Sequence, residues 1–217
     1  MERTVRITGK GNITITPDQA IFSLNQTQVK KDYEEANEEA AVAKKELDDV
    51  IRSIGIDVKN LKTESFSIDA EYTSYQSNDE WKRKIVGYRY RHQMKLKIEL
   101  DHELIGEFLK ELSKMKYQTD IEMNYSLKNP EDAKNALIYK AVKDSETKAK
   151  VLAEALGVEL GEVVNIDYSW MHLDIMSRSY HVMECDGMLM ASGSAKMSME
   201  PEDIELEDSV TVIWTIE

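Results

Sequence analysis

The residues with the strongest chemical character gather between Met171 and Met199. Seven of the eleven methionines lie there, at positions 171, 176, 183, 188, 190, 197 and 199, with His172, His181 and the lone Cys185 among them. Thioether, imidazole and thiolate are the soft ligands that suit copper(I), and methionine and cysteine are also targets of oxidation. His181, Met183 and Cys185 stand closest together and form the candidate set for a metal-binding or oxidant-responsive module. Their spacing matches no standard metal motif, and only one thiolate is present. Flexible methionines also pack well on irregular apolar surfaces, so the simpler expectation is a surface that docks on a neighbouring subunit.

Other reactive residue types form no catalytic set. His92 falls on the apolar face of an alternating stretch, where a packed core histidine is expected. No serine, cysteine or acid lies beside it at a spacing that implies a nucleophile and its base. A pocket using His92, Tyr88 and Tyr90 would need an acid brought in by folding. Arg89, Arg91, Lys95 and Lys97 concentrate positive charge on the opposite face. They could hold an anion, but pairing with Glu64, Asp69 and Glu71 on a neighbouring strand is the stronger expectation. Gly9-Lys10-Gly11 lacks the spacing of a phosphate-binding loop and precedes no helix. No catalytic residue and no cofactor-binding residue is assigned, and the chain is expected not to be an enzyme.

The element that must position these groups runs from Val86 to Leu100. Val86, Tyr88, Tyr90, His92, Met94, Leu96, Ile98 and Leu100 alternate with polar residues, which is the period of a strand with one buried face. Its length exceeds the usual five or six residues, so a long central strand is expected. Thr4–Thr8 and Ile13–Thr16 read as short strands around a turn at Gly9–Asn12, and Ala20–Lys30 as another strand. Asp32 with Glu35 resembles a capping box for a helix carrying Ala36, Ala40, Ala43, Leu47, Val50 and Ile54, stopped at Gly55. Leu61–Tyr72 alternates, Ser74–Lys84 is polar and turn-like, and Asp101 caps a short helix with Leu104, Ile105, Phe108 and Leu112. Asn129-Pro130 opens a helix that runs to Gly157, with an expected stripe of Ile138, Ala141, Ser145, Ala149, Leu152 and Leu156. Strands follow from Gly161 and from Val210.

These elements predict an α+β fold of antiparallel or mixed sheets with helices on one face. Two intimate lobes are expected within one domain, residues 1–84 and residues 101–170 with 208–217. They would share the strand at 85–100, and residues 171–207 would form a long methionine-rich insertion.

With 217 residues the chain can bury roughly 70% of its unfolded surface. Its 41% hydrophobic and 32% charged residues fit a globular protein. A net charge of −13 argues against nucleic acid, whose phosphates need clustered cations, and against adhesion to an anionic membrane. One cysteine permits no internal disulfide, and no stretch approaches the ~18 apolar residues of a membrane helix. The opening residues carry no signal-like apolar run. A cytoplasmic location is therefore expected, or an exported one if a leader has been removed.

The opening Gly9-Lys10-Gly11 with Pro17-Asp18-Gln19-Ala20 resembles the start of the SIMPL domain family, also called domain of unknown function 541. Val86-Gly87-Tyr88-Arg89 leading to Asp101 is similar too. So is the alanine-rich helix from Ala141 to Gly157, followed by Leu160-Gly161-Glu162-Val163. Together these pieces cover nearly the whole chain. The resemblance implies an α+β protein whose bacterial relatives are often periplasmic, are linked to oxidative-stress defence, and assemble into large rings or channel-like homo-oligomers. It supplies no catalytic residues. A non-enzymatic, self-assembling protein is expected, with homo-oligomer partners, no cofactor, and a small-molecule ligand left unspecified.

Overall fold

The computed structural model describes residues 3–77, 80–168, 180–181 and 200–217. In chain order the elements are β1 (Thr4–Ile15), β2 (Gln19–Lys30), α1 (Tyr33–Ser53), β3 (Leu61–Ser77) and β4 (Glu80–Glu99). Then come α2 (His102–Leu112), β5 (Asp120–Ser126), α3 (Pro130–Leu156), β6 (Leu160–Asp167), β7 (Tyr180–His181) and β8 (Ile204–Ile216). The fold is α+β, with three α-helices and two antiparallel sheets among the described residues, and the chain divides into two compact units.

One unit holds a three-stranded sheet in the order β1-β8-β6, with α3 packed on it. β1 is a single strand and not two strands around a turn. Gly9 and Gly11 pair in register with Val210 and Asp208, and they are glycine because α3 lies against them. A Cβ on Gly9 would stand 2.0 Å from the Ala141 carbonyl oxygen, and one on Gly11 would stand 2.2 Å from that of Leu137. So close an approach favours small side chains on the helix, with Leu137 the one large residue of the stripe. The buried stripe of α3 is accordingly Ala133, Leu137, Ala141, Ser145, Ala149 and Ala153, whereas Leu152 and Leu156 of the expected stripe are exposed. Pro130 opens the helix, and Gly157 closes it in the left-handed region at φ 67°. β8 begins at Ile204, earlier than the expected Val210. Its acids Glu205 and Glu207 alternate with buried Leu206 and fall on the exposed face.

The other unit holds a five-stranded sheet in the order β3-β4-β2-β5-β7. The long strand β4 belongs to this sheet, between β3 and β2. Tyr90, His92, Met94, Leu96 and Ile98 point into the core, which Ala20, Phe22 and Leu24 of β2 continue. Ala36, Ala40, Ala43, Leu47 and Ile51 form the buried face of α1. Phe108 of α2 meets Phe22 edge-on at 5.0 Å. Asp101 caps α2 as expected, accepting from the Glu103 and Leu104 amides. Asp32 stands at the N-terminus of α1, but its side chain makes no capping bond, so the capping box is not formed.

The polar stretch 74–84 is not a turn. β3 continues to Ser77 and β4 starts at Glu80, with pairs from Tyr72–Ile85 to Gln76–Trp81. Tyrosine, threonine and tryptophan favour extended pairing. The hydrophobic alternation is absent because these residues lie beyond the last β2 pair, Lys30–Tyr88, and meet no core among the described residues.

Candidate functional site

The cationic face of β4 is neutralised within its own sheet. Arg89 Nε donates to Glu71 Oε2 at 2.8 Å and Arg91 to Asp69 Oδ2 at 2.9 Å, while Lys95 pairs with Glu64. Lys97 is exposed. The Arg89 pair shows in both partners: the guanidinium hydrogen bond holds the Glu71 carboxyl below its usual range, and Glu71 raises Arg89. The cross-strand register accounts for the charges without an anion.

His92 is a packed histidine. Its Nε2 shares a hydrogen bond with Thr63 Oγ1 at 2.8 Å, its ring meets Phe66 edge-on at 5.2 Å, and Nδ1 is buried without a partner among the described residues. Gln26, opposite it on β2, donates to the Ala43 carbonyl and to Thr119 and leaves Oε1 unpartnered. Burial lowers the His92 pKa first and Lys44 second, against a smaller opposite pull from Asp48. Burial pushes the Tyr90 phenol up to about 12, so it stays protonated near neutrality, and Tyr88 packs edge-on against Tyr33 at 5.9 Å. These three residues form no acid–base pair.

A stability consequence follows for His92. Its folded pKa lies below the unfolded value of about 6.5, so the unfolded chain takes up the proton more readily. The stabilising contribution is complete above pH ~6.5 and is lost as pH falls through that value toward the folded pKa. Thermal unfolding of wild type and His92→Gln between pH 5 and 8 checks this. The wild-type midpoint should fall more steeply on the acid side, and equal slopes would refute the assignment.

For the candidate metal set, only the backbone of His181 is described, opposite Glu122 in the β5–β7 pair. Met183 and Cys185, like the other methionines of 171–199, lie outside the described residues. Among the described residues, no group of three histidine, cysteine or acid side chains is placed to hold a metal ion. A concavity of about 360 Å³ on the outer face of the five-stranded sheet is lined by Ser23, Asn25, Glu64, Gln93, Asp120 and Glu122 among others. No histidine or cysteine is among the described residues that line it.

The feature that sequence reasoning missed is the ribbon beyond β2. Tyr72, Tyr75, Trp81, Ile85 and Val86 are all substantially exposed, Trp81 by 73%. Arg83 stacks on Tyr72, 4.9 Å from the ring centroid. At its foot the register shifts between Glu71 and Tyr72, so Val86 is the extra residue of a bulge. Gly87 there lets the Lys30 carbonyl approach to 2.4 Å of where a Cβ would stand. The available signal was chemical: Tyr75 and Trp81 are costly residues for a solvated turn.

The family described as SIMPL, protein of unknown function (DUF541), matches residues 5–214. Two similar proteins are the "26 kDa periplasmic immunogenic protein" of Brucella melitensis and its namesake from Brucella abortus. Each is 29% identical over 164 residues. The match covers 75% of this chain and 65% of the relative, less than two thirds of the relatives' length. Both relatives are named as periplasmic, which overturns the cytoplasmic expectation. That expectation rested on the lone cysteine, on the lack of a membrane-length apolar run and on the opening residues, and none of these excludes export.

Proposed function

Since the chain belongs to the SIMPL family, whose members are described as proteins of unknown function, we propose that it works without catalysis, by self-association in the periplasm. The setting is taken from the names of the Brucella relatives. The carrying observation is the ribbon of residues 72–86, which presents Tyr72, Tyr75, Trp81, Ile85 and Val86 outside any core. An isolated two-stranded hairpin is marginal in water, and clustered exposed aromatics mark an interaction surface. A second copy is the partner that every such chain meets, and contact through the ribbon would cover what folding leaves exposed.

Sizing chromatography with light scattering tests this across the micromolar range. The wild type should elute as an oligomer. Trp81→Ser combined with Tyr75→Ser should weaken assembly by about tenfold or more, as for central aromatic anchors, with unchanged far-UV circular dichroism. A wild type that stays monomeric at high micromolar concentration removes the reading.

A further inference from the structure

The three-stranded sheet has two outer edges, and they are treated in opposite ways. On the β1 edge, α3 supplies partners for the strand's outward backbone groups. Lys10 N donates to Asp144 Oδ2 at 2.7 Å, while the Asn12 and Thr8 carbonyls accept from Lys140 Nζ at 3.1 Å and Lys148 Nζ at 3.5 Å. Residues 140, 144 and 148 are one helical turn apart and meet residues 12, 10 and 8, so the helix closes that edge against another strand. On the β6 edge no such closure exists among the described residues. Val163, Val164 and Ile166 are exposed there, each by about half, and the acids Glu162 and Asp167 flank them. Asp167 has one exposed ion pair, with Arg6 at 3.5 Å.

The ribbon offers the complement. Residues 80–87 of β4 pair with β3 on one side. Their other side has no strand among the described residues, because β2 ends at Lys30, opposite Tyr88. The sequence along this free side is Trp81-Lys82-Arg83-Lys84-Ile85-Val86. The three cations make no ion pair among the described residues, on a chain of net charge −13.

We propose that the free side of β4 in the ribbon of one copy adds as a strand to the β6 edge of a second copy, with Lys82, Arg83 and Lys84 set against Glu162 and Asp167. This rests on the self-association reading and names its two surfaces. An acidic chain repels its own copies except where local charges oppose, and this is the pairing in which they do. Backbone hydrogen bonds supply attraction, and the exposed valines and isoleucines of both strands bury one another. The contact is head-to-tail, so each copy gives one ribbon and receives one. Repetition then closes into a ring or continues as a filament.

Charge reversal tests the pairing, read by light scattering with far-UV circular dichroism as the folding check. Lys82→Glu/Arg83→Glu/Lys84→Glu and, separately, Glu162→Lys/Asp167→Lys should each weaken self-association by about tenfold or more through like-charge contact. All five positions are exposed, so both variants should fold. The two variants mixed, or all five changes placed in one chain, restore opposite charges and should regain assembly, with a salt dependence like that of the wild type. A monomeric wild type overturns the self-association reading itself. A wild type that assembles while both variants assemble equally well, or while rescue fails, overturns this pairing and leaves self-association standing.

Discussion

Gly9→Ala is expected to lower folding stability by about 3 kcal/mol or more, beyond the ordinary cost of an overpacked core. The added Cβ would stand 2.0 Å from the Ala141 carbonyl oxygen, 2.4 Å from the Ser145 amide nitrogen and 2.8 Å from Ser145 Cβ. Two of these three are backbone atoms, so no rotamer change relieves the clash. The helix must lift from the sheet. Lifting α3 loosens its buried alanines, and it pulls Asp144 from the Lys10 amide and both lysines from the β1 carbonyls. The measurement is urea unfolding, with a lower midpoint at an unchanged slope. Hydrogen exchange should show protection lost in β1, β8 and α3. Gly106→Ala is the control of opposite sign. It lies in α2 with nothing within 4 Å of a Cβ, and alanine there should stabilise by up to about 1 kcal/mol. A Gly9→Ala midpoint near that of the wild type would show that the close approach is not required.

The same glycines show where the sequence was legible and where it was not. Read locally, Gly9-Lys10-Gly11-Asn12 is turn chemistry. In the fold those residues are mid-strand, because the constraint acting on them comes from Ala141 and Leu137, more than 120 residues away in sequence. Position-local rules carry no term for that distance. They did succeed where the signal is itself local: the alternation through Tyr90, His92, Met94 and Leu96, the alanine face of α1, the Asp101 cap, and the helix limits at Pro130 and Gly157. The cross-strand pairs of Arg89, Arg91 and Lys95 were also legible, since parity along a strand fixes which side chains share a face.

The candidate site was half hidden for a related reason. A hydrophobic period marks a strand only where the strand has a core to face. Residues 72–86 have none, so their pattern reads as polar although the backbone stays paired throughout. The beginning of β8 was masked by its acids: Glu205 and Glu207 take exposed alternate positions of a regular strand, and Asp208 is buried where it accepts from the Tyr168 hydroxyl. In both places composition outweighed periodicity, and the partner strand decided the outcome.

Phe108→Ala carries the largest expected loss in the five-stranded unit, about 3–5 kcal/mol. Asp101 starts α2 and Ile105, Phe108 and Leu112 hold it down, an eleven-residue helix too short to persist without tertiary packing. Phe108 is fully buried and meets Phe22 at 5.0 Å and 81°, an edge-to-face contact that adds to its area burial. Its removal therefore leaves a dry cavity beneath a helix that then rests on Ile105 and Leu112. Phe66→Ala should cost far less, since Phe66 is nearly half exposed and its ring meets the His92 ring at the edge of the core. Urea midpoints of the two variants give the comparison. Hydrogen exchange should place the Phe108→Ala loss in α2 and β2. Benzene should raise the Phe108→Ala melting temperature and leave Phe66→Ala unchanged, because an apolar cavity left dry binds it and a ligand held only by the folded state stabilises that state. If the two variants lose stability equally and neither responds to benzene, the core of this unit does not centre on the Phe22–Phe108 contact.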